Sequence, residues 1–215
     1  MINYNQLLTY GDFIPLKISC NTDKLFEEIK DFQFAQYNPR KNIPRYGLSI
    51  TSLDGSINGK DLDSLYELSK EENVKYDEDS FTTLTDVYYK SKEVQELVDP
   101  FKPWLCRTHF LSFNRGGYFP PHIDNYRFGE QRFMRLLVPL RTCNPPSLYF
   151  MLEDKPLIFN EGYTYFVNTN KRHAIFSFDS QLDNKPTIKH TTMLVMNIKC
   201  CEESIKAVFN NMLCK

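Results

Sequence analysis

Two patterns of hydrophobic positions divide the chain near residue 104. Before that point, apolar residues at helical spacing predict a helix over Asp23–Phe32 and a second over Ser91–Asp99, which Ser91 caps and Pro100 ends. Between them, the segment Ser52–Asp79 is rich in Asp, Ser, Glu and Lys. We expect this segment to form a surface loop with about one helical turn.

After residue 104 the apolar residues alternate with period two in short runs, which is typical of β-strands. Residues that favour turns, mainly Gly, Pro and Asn, separate the runs. Short strands at this spacing predict an antiparallel sandwich or barrel. Helical periodicity returns over Glu202–Leu213. The predicted strands are Trp104–Phe113, Phe133–Leu140, Leu148–Leu152, Pro156–Phe159, Tyr163–Val167, His173–Phe178 and Thr191–Ile198.

These elements predict one domain over residues 1–215, mainly β with flanking helices. The barrel core covers about residues 104–198. A part made of helices and loops, residues 1–103, precedes the barrel, and a C-terminal helix over residues 202–213 follows it. A chain of 215 residues is long enough to bury such a core without disulfides or a structural metal.

The composition excludes several classes of function. The chain has 26 basic and 27 acidic residues and therefore lacks the positive field that unaided nucleic-acid binding needs. No apolar run reaches the roughly 20 residues of a membrane span, and the N-terminus does not resemble a signal peptide. None of the six cysteines forms a CxxC pair. We expect a cytoplasmic protein with reduced thiols and with no membrane or nucleic-acid partner.

The first feature that can carry chemistry is the tripeptide His122-Ile123-Asp124. Residues two apart on a strand point to the same side, so this imidazole and this carboxylate can face one metal ion. Oxygenases typically hold Fe(II) with two histidines and one carboxylate, which leaves positions open for substrates and O2. The two prolines before His122 fix the backbone there.

A second histidine must come from another part of the barrel, where His109, His173 and His190 are available. His173 begins a predicted strand after a polar turn, so a neighbouring strand can carry it to the metal. His109 lies in the middle of a predicted strand and is expected to be a hydrogen-bonded core or supporting histidine. His122, Asp124 and His173 are therefore the predicted metal ligands and catalytic residues.

The stretch from Arg107 to Asp124 (RTHFLSFNRGGYFPPHID) resembles the first barrel strand and metal motif of aspartyl/asparaginyl β-hydroxylase-like 2-oxoglutarate oxygenases. Arg135–Leu140 is similar to their next core strand, Glu161–His173 to their barrel turn and distal histidine, and Thr191–Ile198 to their closing strand. The resemblance covers about residues 104–198. Relatives that hydroxylate free amino acids such as proline keep the His-x-Asp motif, whereas the aspartyl β-hydroxylases proper lack its carboxylate.

The resemblance implies a double-stranded β-helix, that is, a jelly-roll or cupin-like barrel that binds Fe(II). It also implies that 2-oxoglutarate and O2 serve to hydroxylate a free amino acid or an amino-acid side chain of a peptide. The distal carboxylate of 2-oxoglutarate needs a cation inside the barrel. Arg135 matches the strand arginine of the family, and Lys189 stands near the position of a further arginine that this chain lacks. Arg135, Lys189 and Thr191 are the predicted co-substrate-binding residues, and Arg135 is not expected to take part in metal binding.

Two alternatives remain open. The same ligands could hold zinc or manganese in a cupin-like metalloenzyme that does not use 2-oxoglutarate. The barrel could also be a non-catalytic module that binds a peptide or a sugar. Five residues flank the metal motif and could contact a substrate, but we expect them to be exposed loop residues: Arg107, Arg115, Asn125, Tyr126 and Arg127.

Overall fold

A computed structural model describes residues 3–36, 43–57, 65–124, 131–178 and 191–213 of the chain. Within these ranges, no helix has both the length and the apolar character needed to cross a membrane. The strands are β1 Phe13–Ser19, β2 Ala35–Gln36, β3 Arg45–Ser49, β4 Thr51–Ser52, β5 Thr83–Leu84, β6 Leu105–Phe113, β7 Tyr118–His122, β8 Phe133–Arg141, β9 Leu148–Leu152, β10 Lys155–Pro156, β11 Tyr163–Val167, β12 His173–Ser177 and β13 Thr191–Lys199. The α-helices are α1 Tyr4–Leu8, α2 Thr22–Ile29, α3 Leu65–Glu72, α4 Asp86–Lys90, α5 Lys92–Val98 and α6 Glu202–Asn210.

Two antiparallel sheets of the described residues face each other. The larger sheet has the strand order β1-β11-β8-β13-β6-β3-β2, and the smaller has the order β10-β9-β12-β7. Their inner faces share one apolar cluster, to which Leu137 and Val195 contribute from the larger sheet and Phe150 and Ile175 from the smaller. The predicted jelly-roll barrel, mainly β with flanking helices, is confirmed.

A second apolar cluster lies on the outer face of the larger sheet, where the helices pack. Leu25 of α2, Val94 of α5 and Ile205 of α6 contribute to it together with strand residues such as Phe110 and Leu194. The central strands β6 and β13 are therefore covered on both faces, and every residue of β6 is buried. A polar side chain on β6 consequently points into the protein and not to solvent.

The first 103 residues supply strands as well as helices, which the sequence analysis did not predict. Strand β3 pairs with β6 along its whole length, and β1 pairs with β11. The added strands satisfy backbone groups of β6 and β11 that would otherwise form open edges of the barrel sheet. The larger sheet thus extends beyond the predicted core of residues 104–198.

Several predicted boundaries differ from the structure. Helix α2 ends at Ile29, not at Phe32, and α6 ends at Asn210. Ser91 caps α5 as predicted, because its hydroxyl accepts a hydrogen bond from the Val94 N–H at 3.1 Å. Pro100 does not end the helical course, since a 3₁₀ helix continues from Asp99 to Trp104. Proline is tolerated at the first positions of such a helix, where no N–H donor is needed.

The predicted strand Pro156–Phe159 is largely wrong, because only Lys155–Pro156 is paired as a strand. The side chain of Asn144 replaces the strand partner further along. Its Nδ2 donates to the Phe159 carbonyl at 2.9 Å, and its Oδ1 accepts from the Phe159 N–H at 2.8 Å. This bridge satisfies the backbone locally and holds Phe159 in the barrel core.

The segment predicted as a surface loop, Ser52–Asp79, contains helix α3 and the start of a 3₁₀ helix, Glu78–Ser80. The helical part is therefore longer than the one turn that was expected, while residues 58–64 fall outside the described ranges. Arg132, just before β8, forms ion pairs with Asp77 and with Asp79, the latter at 3.0 Å. These contacts hold the 3₁₀ helix against the barrel end where β8 begins.

Candidate metal centre

The two predicted histidine ligands lie on neighbouring strands. His122 ends β7, His173 begins β12, and the two residues are direct partners in the antiparallel pair. Strand β7 is the edge of the smaller sheet, where its two prolines need not donate to a neighbour. Asp124 follows β7, and its N–H donates to the Thr169 carbonyl at 3.0 Å.

The three predicted ligands converge in one group of side chains, the metal cluster. One donor atom from each of His122, Asp124 and His173 lies within 4.8 Å of the others. The Asp124 Oδ1 is 3.5 Å from His122 Nε2 and 4.0 Å from His173 Nε2. Atoms that share a metal at bond lengths near 2 Å are separated by about 3–4 Å, so the spacing suits a common ion.

Backbone contacts orient both imidazole rings toward the carboxylate. His122 Nδ1 lies 2.7 Å from the Pro120 carbonyl, and His173 Nδ1 lies 3.0 Å from the Lys171 carbonyl. A carbonyl only accepts, so each ring carries a proton on Nδ1 and directs Nε2 toward Asp124. The ring of Phe150 stacks on His173 at an interplanar angle of 8° and fixes that ring further.

The protonation states also suit a metal. Burial lowers the pKa of His173, which keeps its imidazole neutral. Burial alone would raise the pKa of Asp124, but the nearby positive charge of Arg135, followed by His173, brings this pKa below its ordinary value. Metal ligands must be deprotonated, so both residues are in the required form near neutral pH.

Arg135 reaches the metal cluster itself. Its Nη2 lies 3.1 Å from Oδ2 of Asp124, and its Nε donates to Oδ1 of Asn197 at 3.1 Å. The sequence analysis did not anticipate this contact, which makes Arg135 a neighbour of a candidate metal ligand and not a ligand itself. Its guanidinium holds the carboxylate whose other oxygen faces the two histidines.

Arg107 was expected to be exposed, and this expectation is wrong as well. It lies on β6, is only 7% exposed, and lines the same cavity as Arg135. Its position two residues before His109 puts both on the inner face of the strand, which is a signal that the sequence contained. His109 is buried in the cavity wall as expected, and burial, then the charges of Arg107 and Arg135, lower its pKa well below the ordinary value.

The other flanking residues divide into two groups. Arg115 is exposed, as expected. Asn125, Tyr126 and Arg127 lie outside the described residues.

The other two predicted co-substrate residues are Lys189 and Thr191. Lys189 lies outside the described residues. Thr191 begins β13 at the far end of the barrel, where its hydroxyl lies 3.1 Å from the Thr142 hydroxyl. Thr191 is fully buried but is not a wall residue of the cavity at the metal cluster.

The cavity beside the metal cluster encloses about 540 Å³, part of it open to solvent. Polar and apolar residues both line the cavity, as is usual for sites that bind small molecules. The polar lining residues include Glu78, Arg107, Arg135, Thr169 and Asn197. The apolar lining residues include Leu111, Leu137, Phe150, Ile175, Met193 and Val195.

Comparison with known proteins gives likeness in structure but not in sequence. No family model and no curated protein matches the chain. The structure of HygX from Streptomyces hygroscopicus with nickel and 2-oxoglutarate matches with a TM-score of 0.53 at 10% identity, over 94% of this chain and 89% of that chain. HygX with hygromycin B also bound matches with a TM-score of 0.51 at 9% identity, over 94% and 88%. This chain therefore shares the fold of HygX.

A prolyl-4-hydroxylase from Pseudomonas putida is also similar, with a TM-score of 0.44 at 12% identity. That match covers 90% of this chain and 95% of the hydroxylase.

Proposed function

We propose that this protein is an Fe(II)- and 2-oxoglutarate-dependent dioxygenase that hydroxylates an amino acid or an amino-acid side chain of a peptide. The observation that carries the proposal is the convergence of His122, Asp124 and His173 within 4.8 Å at the wall of a cavity. Two imidazoles and one carboxylate on one side of an ion leave its remaining positions open. Those positions would face the cavity.

The residues present fit this metal. Both histidines present Nε2 and the carboxylate is ionised, and two imidazoles with one carboxylate are the donor set that non-haem Fe(II) oxygenases use. When bound, iron with 2-oxoglutarate would activate O2 for insertion of an oxygen atom into a substrate C–H bond. The chain itself orients the ligands through Arg135 and Phe150, and its apolar cavity wall excludes water from the site.

For 2-oxoglutarate we propose two groups of contacts. The motif assigns Arg135 to the distal carboxylate, but its position beside Asp124 favours a carboxylate of the co-substrate close to the metal. Lys189 and Thr191 would then serve the distal carboxylate. Arg45 of β3 adds a buried cation on the same face of the sheet as Thr191, because both residues pair with Phe113 of β6. Phe113 belongs to the inner apolar cluster, so this is the inner face.

The position of Arg45 suits the length of the co-substrate. The Arg45 Cζ lies 4.0 Å from the centre of the Phe119 ring, which lies 6.2 Å from the centre of the His122 ring, so Arg45 is within 10.2 Å of that ring. A five-carbon dicarboxylate is roughly 6 Å long. Together with the reach of a hydrogen bond at each end, this length spans the distance between the metal ligands and Arg45.

The HygX structures support the proposal at the level of the fold, because both contain nickel and 2-oxoglutarate in the same architecture. Within this class, we place the chain near the aspartyl/asparaginyl β-hydroxylase-like enzymes, on the basis of its motif from Arg107 to Asp124. The carboxylate of Asp124 favours the branch that acts on free amino acids.

The test is the formation of succinate from 2-oxoglutarate by the purified protein with Fe(II) under air, with His122→Ala as the inactive control. Formation of succinate that requires Fe(II), with one succinate for each 2-oxoglutarate consumed, supports the proposal. Tight binding of zinc or manganese without any binding of 2-oxoglutarate would instead support a different cupin-like metalloenzyme. Absence of metal binding would leave a non-catalytic barrel.

A further inference from the structure

We propose that Glu78 and Arg107 bind the ammonium and carboxylate groups of a free α-amino acid, so that the substrate is a free amino acid and not a residue within a peptide. This inference rests on the proposed function and adds the substrate class to it. It starts from an acidic side chain that comes from outside the barrel and forms part of the cavity wall next to the metal cluster.

Glu78 is held in place by the barrel. Its Oε2 accepts a hydrogen bond of 2.9 Å from Nδ2 of Asn197, and its side chain is only 17% exposed. The residues on either side of it, Asp77 and Asp79, are paired with Arg132, so the short helix is fixed at three consecutive positions. A carboxylate fixed in a partly buried wall can receive a substrate ammonium group without the cost of being ordered first.

Arg107 lies opposite Glu78 in the wall of the same cavity. The distance between Arg107 Nη1 and Glu78 Oε1 is 3.7 Å, which is longer than a direct hydrogen bond. The ammonium nitrogen and a carboxylate oxygen of an α-amino acid are separated by three bonds and lie about 3 Å apart. The spacing of the two protein charges therefore matches the spacing of the two substrate charges, and the planar guanidinium suits a carboxylate.

Polar contacts connect this pair of residues to the metal cluster. Asn197 donates to Glu78 and accepts from Arg135, whose guanidinium contacts Asp124. An amino acid whose ammonium and carboxylate groups are bound by Glu78 and Arg107 would thus lie next to the metal cluster. Its side chain would point toward His122 and His173, where a C–H bond is to be hydroxylated.

The charges of the described wall residues also favour a zwitterion. Among these residues, Arg107 balances Glu78, and Arg135 is balanced by Asp124 next to the wall, so a ligand with one positive and one negative group adds no net charge to the partly buried site. A residue within a peptide has neither group. A peptide residue would displace water from Glu78 and Arg107 without replacing the lost hydrogen bonds. Because unpaired buried polar groups weaken binding, such a site strongly favours the free amino acid over the peptide.

The first experiment compares free and capped amino acids on the intact protein. The 20 common L-amino acids and their N-acetyl amides are tested for stimulation of succinate formation and, under anaerobic conditions with Fe(II) and 2-oxoglutarate, for binding by calorimetry. We expect at least one free amino acid to bind and to stimulate turnover, with its capped form at least tenfold weaker. Capped or peptide forms that bind as tightly as the free acid would overturn the proposal.

The second experiment uses variants with a matched control. Glu78→Gln should raise the Kd of the free amino acid at least tenfold with little change in the Kd of 2-oxoglutarate, and Arg107→Lys should also raise it. Glu71→Gln, which removes an exposed carboxylate of α3 outside the cavity wall, should change it less than twofold. Unchanged amino-acid affinity in both Glu78→Gln and Arg107→Lys, each shown to be folded by circular dichroism, would overturn the assignment.

Binding measurements distinguish a wrong substrate assignment from a wrong proposed function. If no free amino acid binds but Fe(II) and 2-oxoglutarate still form their complex, the substrate assignment is wrong and the proposed function stands. If that complex does not form, the proposed function itself is wrong.

Discussion

The Arg135 guanidinium lies 3.1 Å from Oδ2 of Asp124, the carboxylate of the candidate metal centre. This ion pair joins the central strand β8 to the residue that follows edge strand β7. It makes Arg135 a positioning residue for a metal ligand, in addition to the proposed contact with 2-oxoglutarate. The metal and the co-substrate should therefore both respond to a change at this position.

Replacement of Arg135 by alanine should weaken both ligands. We expect the Kd of 2-oxoglutarate to rise at least about tenfold, since losing a buried charge pair costs more than about 1.4 kcal/mol. Binding of Fe(II) should weaken as well, because Asp124 loses the charge that orients it. Anaerobic titrations of each ligand measure both effects. Arg172→Ala, an exposed arginine beside His173, is the control and should change neither affinity.

The turn between β6 and β7 offers a test of how the fold positions His122. A Cβ on Gly117 would lie 2.8 Å from the Pro44 carbonyl oxygen, so Gly117→Ala should shift β7 and cost about 1–3 kcal/mol. Gly116 has a φ of +83° but nothing within 4 Å of an added Cβ, so Gly116→Ala should cost only the backbone strain of about 1–2 kcal/mol.

Urea unfolding measures the stability of these two variants, and Fe(II) titration measures the site. We expect the affinity for Fe(II) to fall in Gly117→Ala and to stay near wild type in Gly116→Ala. Equal Fe(II) affinities in the two variants would contradict the role given to the close packing at Gly117.

The ion pair between Lys24 and Glu93 predicts a dependence of stability on pH. Glu93 accepts a hydrogen bond of 2.7 Å from Lys24 Nζ and one of 2.8 Å from the Asn21 N–H, and its side chain is 6% exposed. The hydrogen bond from Lys24 lowers the pKa of Glu93 below its ordinary value of 4.5. A lowered pKa in the folded state stabilises the protein above pH 4.5, and this contribution is lost as the pH falls below that value.

Glu93→Gln should therefore lower the free energy of unfolding by about 1–3 kcal/mol at pH 7 and by less below pH 4.5. Urea unfolding at the two pH values measures the difference. The exposed pair of Glu27 with Lys30 provides the control, and Glu27→Gln should have little effect at either pH. An undiminished effect of Glu93→Gln at low pH would show that the ionised carboxylate is not what stabilises the helix contact.

The sequence predicts most of the regularly alternating barrel strands and misses, among others, two edge strands that contain proline. Strands β9 and β11 have the predicted bounds. Strands β1 and β7 were not predicted, because Pro15 and the Pro120-Pro121 pair interrupt the signal. Both strands lie at sheet edges, where a missing N–H donor costs little, and only the sheet order reveals this.

The candidate site shows the same division between local and long-range information. His122 and Asp124 could be found because two residues of one strand share a face, and His173 because it begins another strand. Arg107 could have been found by the same alternation. Glu78 could not, since its contact with Asn197 joins residues 119 positions apart and depends on how the 3₁₀ helix packs on the barrel.

The most direct test of the central claim is an anaerobic titration of Fe(II) and 2-oxoglutarate, followed by the visible charge-transfer band of their complex. The wild-type protein and Asp154→Ala, which alters an exposed turn, are predicted to show the band at one iron per chain. Asp124→Ala is predicted to show no band while keeping a native circular dichroism spectrum. A wild-type protein that binds neither Fe(II) nor 2-oxoglutarate, or an Asp124→Ala variant with an unaltered band, would contradict the assignment of this site.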